Sequence, residues 1–396
     1  MIIKPKVKEF LCLTAHPEGC KKNIENQVRY VKENMADYNG PKKVLVIGSS
    51  TGYGLASRIV AGFGCKADTI GVMFEKPSNG KRTASAGWYN TAAFEEFAKK
   101  DGQYAKTFNG DAFSKSVKEE VIATIKKDFG KVDMVIYSLA APRRTVEDGT
   151  TYQSVLKTTG KSFTNKNLDL KNNTLGERTL EPANDDEVQS TIKVMGGEDW
   201  MDWMKALVDA DAIEDGATTL AYSYIGPELT YPIYFDGTIG QAKKHLHATA
   251  KEITKAFEDK GIKGFVSVNK ALVTQSSSAI PIVPLYMAIL YKVMKEQGNH
   301  EGCIEQITRL FTDRDILSNT VVDQDGLIRL DDLELSKEVQ DEVNKRWELV
   351  NSDNLAEIAD VPGYWEDFYH MFGFQLDGVN YEQDLDPAVK IPSVEA

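Results

Sequence analysis

The sequence predicts an α/β fold built on a doubly wound parallel sheet, and three observations carry that prediction. Short β-branched runs alternate with longer stretches of helical period, six such runs are present, and a glycine-rich turn follows the first of them. Candidate strands cover residues 43–47, 68–74, 104–108, 132–138, 218–224 and 264–269. Helical period between them predicts helices over 54–63, 91–100, 114–129 and 238–260.

The rest of the chain decorates that alternation. An amphipathic helix is predicted over 21–34, after a strand-like start that contains Pro5. Residues 141–217 read as a long polar insertion with one helical piece over 199–208. Beyond the sixth strand, helices are predicted over 283–297 and 301–312, then a hairpin over 321–328 turning at Asp325-Gly326, then a charged helix over 336–349. At about 150 residues per domain the length would allow two or three units. One unit spanning 1–396 is expected instead, with 141–217 inserted and 313–396 a C-terminal extension over its core.

Charge and composition exclude several classes. The net charge is −12, from 47 basic and 59 acidic side chains, which argues against nucleic acid and anionic membranes as partners. Cys12, Cys20, Cys65 and Cys303 are scattered without a CxxC pair, so neither a zinc site nor a disulfide framework is expected. The start of the sequence lacks the pattern of a secretory signal, and the apolar stretch 279–291 is too short to span a bilayer and contains Pro281 and Pro284. A cytoplasmic protein is the expectation. Asp323 to Asp332 is acidic, but placing Gly326 sixth in a calcium loop puts Val321 at the first ligand position. His245 and His247 lack a carboxylate or Cys at ligand spacing and read as solvated helix positions, so no metal is expected.

The turn Gly48-Ser49-Ser50-Thr51-Gly52-Tyr53-Gly54 lies between the buried run Val44-Leu45-Val46-Ile47 and a helix start. Glycines there let backbone N–H groups and the helix dipole meet a pyrophosphate without an obstructing Cβ, which makes the fold a Rossmann-like one that binds a dinucleotide. The order Gly-x-x-x-Gly-x-Gly is that of short-chain dehydrogenase/reductases. Phe74 and Glu75 end the second strand, and a carboxylate there accepts hydrogen bonds from ribose hydroxyls and repels a 2′-phosphate. NADH is thereby favoured over NADPH, although Lys76, Lys81 and Arg82 offer charge of the opposite sense. Asp111-Ala112 after the third strand and Leu139-Ala140 after the fourth fall on the same carboxyl edge, where a ligand crevice must lie.

Hydride transfer needs a donor that stabilises charge on the substrate oxygen, and a Tyr tuned by a nearby Lys serves that purpose. Tyr38 and Lys42 have the Tyr-x-x-x-Lys spacing, but Gly40-Pro41 forbids the helix it needs. Tyr291 and Lys295 are helical yet come after the sixth strand, and read as core and surface. Tyr234 and Lys243, nine apart, would lie on opposite faces of one helix. They converge only if Tyr234 sits in the loop before it, capped by Asp236 or Thr238, with Lys243 on the second turn.

The Tyr-x8-Lys spacing, the 48–54 turn, Tyr224 ten residues before Tyr234, and Ile239-Gly240-Gln241-Ala242-Lys243-Lys244 together resemble the trans-2-enoyl-CoA reductases and the related FabV-type enoyl-ACP reductases, over essentially the whole chain. The resemblance implies Tyr234 as proton donor, Lys243 as a cofactor ligand that tunes it, and Tyr224 as a contact to the substrate carbonyl. It implies cofactor contacts from Gly48, Ser49, Ser50, Thr51, Gly52, Tyr53, Phe74, Glu75, Asp111, Ala112, Leu139, Ala140, Lys243, Leu272, Val273 and Thr274. The implied reaction belongs to fatty-acid metabolism: NADH-dependent reduction of a trans-2-enoyl-CoA, such as crotonyl-CoA, with an enoyl-ACP as the alternative substrate. Neither the sequence nor the resemblance fixes the assembly, for which a monomer is the expectation. The apolar stretch 279–291 is expected either to cover the acyl chain or to form an ordinary buried helix. A 3-ketoacyl thioester reductase and a non-catalytic NAD-sensing protein would use the same nucleotide turn.

Overall fold

The computed structural model describes residues 1–8, 11–36, 38–277, 280–317 and 319–394. A short antiparallel pair, β1 (Val7–Lys8) and β2 (Leu11–Cys12), leads into helix α1 (Pro17–Asn34). The nucleotide-type half follows as β3 (Lys43–Ile47), α2 (Gly52–Ile59), β4 (Asp68–Met73), α3 (Ala86–Lys100), β5 (Ala105–Asn109), α4 (Lys115–Thr124) and β6 (Val132–Tyr137). A π-helical turn extends α2 over Val60–Gly64, and another extends α4 over Ile125–Phe129.

The segment after β6 is more ordered than a polar insertion suggests. It holds two antiparallel hairpins, β7 (Arg143–Thr145) with β8 (Thr151–Gln153) and β9 (Phe163–Asp169) with β10 (Thr174–Leu180). Helices α5 (Asp185–Met195) and α6 (Glu198–Asp209) complete it. A capping box starts α5: Glu187 N–H donates to Asn184 Oδ1 at 2.9 Å and the Asn184 N–H donates to Glu187 Oε2 at 3.0 Å. Strand β11 (Ile213–Ser223) starts inside the range read as insertion and irregularly, with Gly216 at φ +77° and a register shift against β6.

The remaining elements are α7 (Thr238–Ala256), β12 (Lys263–Val268), α8 (Val283–Gln297), α9 (Cys303–Thr312), β13 (Leu327–Arg329), α10 (Lys337–Leu349), α11 (Leu355–Ile358) and α12 (Val361–Met371). The main sheet runs β13-β12-β11-β6-β3-β4-β5, with every pairing parallel. The expected doubly wound sheet is therefore present with seven strands rather than six.

The seventh strand replaces the expected hairpin over 321–328. Asp323 Oδ1 accepts the N–H groups of Asp325 and Leu327, each at 2.9 Å, and Gly326 takes φ +82°, so the Asp-Gly turn forms. Val321 and Val322 stay exposed while Ile328 is fully buried, and Leu327–Arg329 pairs parallel with Val266–Val268 of β12. Burial of Ile328 on the sheet outweighs local hairpin pairing of two solvated valines.

Side chains of β3 explain why its sequence is apolar throughout. Val44 and Val46 join a core with α1, α2 and α9, whereas Leu45 and Ile47 join one with α4, α6 and α7. A third core surrounds α8, whose residues 283–291 are all buried against α10 and α12. Ala279, at the start of the apolar stretch, lies outside the described residues.

Candidate active site

Strand β3 has β4 on one side and β6 on the other, so the carboxyl ends of β3 and β6 form the switch point of the sheet. The 48–54 turn stands there. Gly48 takes φ +84°, and a Cβ on it would lie 1.9 Å from the Ser138 carbonyl oxygen; a Cβ on Gly54 would lie 1.9 Å from the Gly48 carbonyl oxygen. Two glycines thus close the turn against β6. Gly52 differs: at φ +54° it faces open space, with nothing within 4 Å of its missing Cβ. Thr51, the N-cap of α2, makes no side-chain cap, which leaves the helix N-terminus available to an anion. This cradle fits a pyrophosphate.

Ser50 Oγ donates to Glu75 Oε1 at 2.6 Å. Phe74 beside it is 79% exposed, a face free to pack on a ligand ring. Asp111 turns the chain into α4 by accepting the Phe113 N–H at 3.0 Å, and the Ala112 carbonyl accepts Lys118 Nζ and Trp203 Nε1, both at 3.1 Å. Leu139 is half-buried and Ala140 exposed at the mouth of the crevice. Leu272 and Val273 are buried; the Val273 N–H donates to the Tyr291 hydroxyl at 3.0 Å, and the Thr274 N–H to Ser277 Oγ at 2.8 Å. Tyr53 reaches the same loop from α2, donating to the Lys270 carbonyl at 3.0 Å while Gln306 Nε2 donates to its oxygen at 2.9 Å.

Tyr234 does precede the helix. Its N–H donates to the Thr230 carbonyl at 2.9 Å, in a run of turns ending at Gly237, which is the N-cap of α7 in place of Asp236 or Thr238. Only glycine fits at 237 and 240. A Cβ on Gly237 would lie 2.1 Å from the Ile233 carbonyl oxygen, and one on Gly240 would lie 2.0 Å from that of Tyr234. Thr238 N–H, left uncapped by a side chain, donates to the Lys157 carbonyl of the insertion at 2.9 Å. Lys243 then falls on the second turn of α7.

The Tyr224 and Tyr234 rings meet edge to face, with centroids 4.5 Å apart. Their hydroxyls are treated differently. Tyr224 donates to Glu334 Oε1 at 2.8 Å, whereas the Tyr234 hydroxyl makes no hydrogen bond among the described residues. Burial and then the Glu334 carboxylate raise the Tyr234 pKa, which keeps it a phenol. Lys243 donates to the Tyr222 carbonyl at 2.9 Å, and desolvation pulls its ammonium down to about 8. The ammonium is thus directed to backbone rather than to the Tyr234 oxygen.

Several groups around this pair were not singled out from sequence. Glu334, Tyr286 and Lys270 come from distant segments and carry no local motif. Tyr291, read as core, is buried and touches the 271–274 loop through Val273. His245 is exposed and accepts the Gly197 N–H at 3.0 Å; His247 is half-buried rather than solvated, 2.8 Å from Ser223 Oγ.

Three family models cover nearly the whole chain. Residues 82–315 match the trans-2-enoyl-CoA reductase catalytic region, 2–80 the NAD(P)H binding domain of trans-2-enoyl-CoA reductase, and 322–385 an enoyl reductase FAD binding domain. That last stretch has no glycine turn at a helix start like the one at 48–54 among the described residues. The N-termini of α10 and α12 are occupied by their own side chains, Ser336 accepting from Val339 N–H and Asp360 from Gly363 N–H. The chain is 53% identical to a trans-2-enoyl-CoA reductase (NADH) of Ruminiclostridium cellulolyticum, over 99% of both chains. It is 54% identical to an enoyl-acyl-carrier-protein reductase (NADH) of Flavobacterium johnsoniae, over 100% of both. Its fold matches the trans-2-enoyl-CoA reductase of Clostridium acetobutulicum in complex with NADH, with TM-score 0.95, 47% identity, and 99% and 100% of the two chains covered. The Treponema denticola trans-2-enoyl-CoA reductase in complex with NAD matches with TM-score 0.94 and 50% identity, over 99% and 100%. Glycine turn, seven-stranded sheet and tyrosine pair therefore sit in a chain that belongs to the trans-2-enoyl-CoA reductase family.

Proposed function

We propose that this enzyme reduces trans-2-enoyl-CoA to acyl-CoA with NADH, using Tyr234 as the proton donor. The observation that carries the assignment is the contrast within the tyrosine pair: among the described residues the Tyr234 hydroxyl is uncommitted, while that of Tyr224 is held by Glu334. When bound, NADH supplies a hydride for the β-carbon of the conjugated thioester. The chain's own groups deal with the charge that develops on the thioester oxygen and with the proton for the α-carbon. Tyr234 is a buried phenol beside the carboxyl edge of the sheet; its O–H hydrogen-bonds to that oxygen as charge develops, and its single proton then passes to the α-carbon, leaving a tyrosinate that is reprotonated before the next turnover. Tyr224 packs its ring against Tyr234 and limits where the oxygen can sit. Gly48 to Tyr53 would hold the pyrophosphate and Glu75 the adenosine ribose, and Lys243 and Leu272 to Thr274 would contact the rest of the cofactor.

Four unpaired cysteines, Cys20 and Cys65 among them buried, support residence in the reducing cytoplasm, and a monomer is our reading of the assembly. Among the described residues no helix is long and apolar enough to cross a membrane. One reductase unit over 1–396 is supported by β13, from the last quarter of the chain, completing the sheet that β3 starts.

Loss of NADH absorbance with crotonyl-CoA, compared with a 3-ketoacyl-CoA, tests the reaction. Rapid turnover of the enoyl thioester alone is expected. Turnover of the ketoacyl thioester alone, or NADH binding without turnover of either, would overturn it. Enoyl-ACP is the second substrate to assay, because relatives of near-equal identity carry that name.

A further inference from the structure

Glu334 stands just past β13 and is completely buried. Its two oxygens are divided between the two sides of the site. Oε1 accepts the Tyr224 hydroxyl at 2.8 Å and the Tyr286 hydroxyl at 2.6 Å, and Oε2 accepts the Ala271 N–H at 2.6 Å. Gln340 Nε2 secures the residue from α10, donating to the Glu334 carbonyl at 2.7 Å and to the Tyr286 oxygen at 3.3 Å. The ammonium of buried Lys270 supplies charge of the opposite sign nearby.

A carboxyl group taken fully out of water is tolerated only if its lone pairs are used. Here two of the donors border the reaction, one being the Tyr224 hydroxyl and the other the first residue before the 272–274 loop. A tyrosine hydroxyl has a single hydrogen. While Tyr224 gives that hydrogen to Glu334, it presents lone pairs to the cleft, and donation to the substrate oxygen falls to Tyr234.

We propose that Glu334 is a positioning residue for the reduction: by accepting from Tyr224 and Ala271 on its two oxygens, it sets the direction of the Tyr224 hydroxyl, fixes the start of the cofactor loop in the same frame, and leaves donation to the substrate oxygen to Tyr234 rather than Tyr224. This rests on the enoyl reductase reading above. A glutamine at 334 cannot reproduce the pattern. If its amide oxygen keeps the Ala271 N–H, its NH2 faces Tyr224, whose hydrogen then swings into the cleft and competes with Tyr234.

The test is a double-mutant cycle on crotonyl-CoA reduction with Glu334→Gln, Tyr224→Phe and the pair. For Glu334→Gln we expect kcat to fall about tenfold or more with KM for NADH within about threefold, and in the Tyr224→Phe background we expect the same substitution to change kcat less than about twofold. A merely structural role predicts losses that multiply. Multiplying losses, or a single Glu334→Gln variant within about twofold of the parent, would overturn the proposal. Thermal unfolding establishes that each variant is folded. If Glu334→Gln is not recovered, Glu334→Asp, which draws the carboxylate back by one methylene, enters the same cycle with the same two outcomes. Parent turnover is measured first: an inactive parent overturns the enoyl reductase reading, whereas an active parent indifferent to residue 334 overturns this proposal alone.

Discussion

Ser50 and Glu75 are joined by a 2.6 Å hydrogen bond from hydroxyl to carboxylate, so the glycine turn and the end of β4 act as one unit. Gly87 closes in behind, since a Cβ there would lie 2.1 Å from the same Glu75 oxygen. A 2′-phosphate entering this corner meets a negative charge that is held in place. For Glu75→Ala, the ratio of kcat/KM with NADPH to that with NADH should rise by about tenfold or more, as removal of a fixed like charge at close range predicts. An unchanged ratio would assign cofactor choice to Lys76, Lys81 and Arg82.

The glycines of the turn should respond differently to alanine. Gly48→Ala combines a positive φ with a collision against the Ser138 carbonyl, and should destabilise by about 3 kcal/mol. Gly52→Ala has the strain without the collision and should cost about 1–2 kcal/mol. Its larger effect falls on KM for NADH, because the new methyl occupies the space reserved for phosphate. Denaturant unfolding and steady-state kinetics separate the two; equal stability losses would contradict the geometry.

Lys118 and Asp199 form a buried ion pair at 2.7 Å, with Tyr137 also donating to Asp199 at 3.1 Å. Burial raises the Asp199 pKa and Lys118 opposes that rise. Lys118→Met should lower unfolding free energy by about 2–4 kcal/mol, because it leaves the buried carboxylate with Arg144, 4.0 Å away, as its remaining cation, and Asp199→Asn added to it should restore most of the loss. A single-variant loss below about 1 kcal/mol would mean that the pair is dispensable.

Much of this was legible in the sequence because it was local. The runs at 43–47 and 132–138 and the turn between β3 and α2 are specified by neighbours in the chain, and they fold where expected. The loop position of Tyr234 was legible as the condition for it to converge with Lys243, with Pro232 and Gly237 as its local support. Helix α5 had a readable signal in Asn184-x-x-Glu187. Helix α12 had one in Asp360 followed by Pro362. By contrast, nothing near Glu334 announces a site residue, because its meaning comes from Tyr224, 110 positions away. The same holds for β13, whose three residues become a strand only when β12 offers an edge.

Tyr234→Phe should reduce kcat for crotonyl-CoA by about a hundredfold or more, the usual scale for losing a general acid. Tyr224→Phe should cost less, since its hydrogen is already committed to Glu334. If the Tyr224 variant is the more impaired, the donor role belongs to Tyr224.

Lys243 predicts a pH dependence with a definite sign. Its folded pKa, about 8, lies below the ordinary value of 10.5, so between those limits the unfolded chain binds more protons. The burial penalty is fully present below about 8 and is relieved as pH rises toward 10.5, so this group makes the fold more stable across that window. The proposed contact of the Lys243 ammonium with the cofactor predicts the opposite course for cofactor binding. KM for NADH should rise above pH 8 in the parent, and Lys243→Arg, charged throughout, should abolish that limb. A limb that survives in Lys243→Arg would point to Lys270, also held at about 8.

The sheet order has a consequence for how the enzyme is born. From β3 outward on one side, β6, β11, β12 and β13 are added in the order in which they leave the ribosome, each against the edge the last one made. The nucleotide cradle at 48–54 belongs to the earliest strands, while the acceptor for Tyr224 arrives only after the final one. A growing chain would therefore have its glycine turn in place well before the 272–274 loop and Glu334 joined it, and translation itself would time the onset of catalysis.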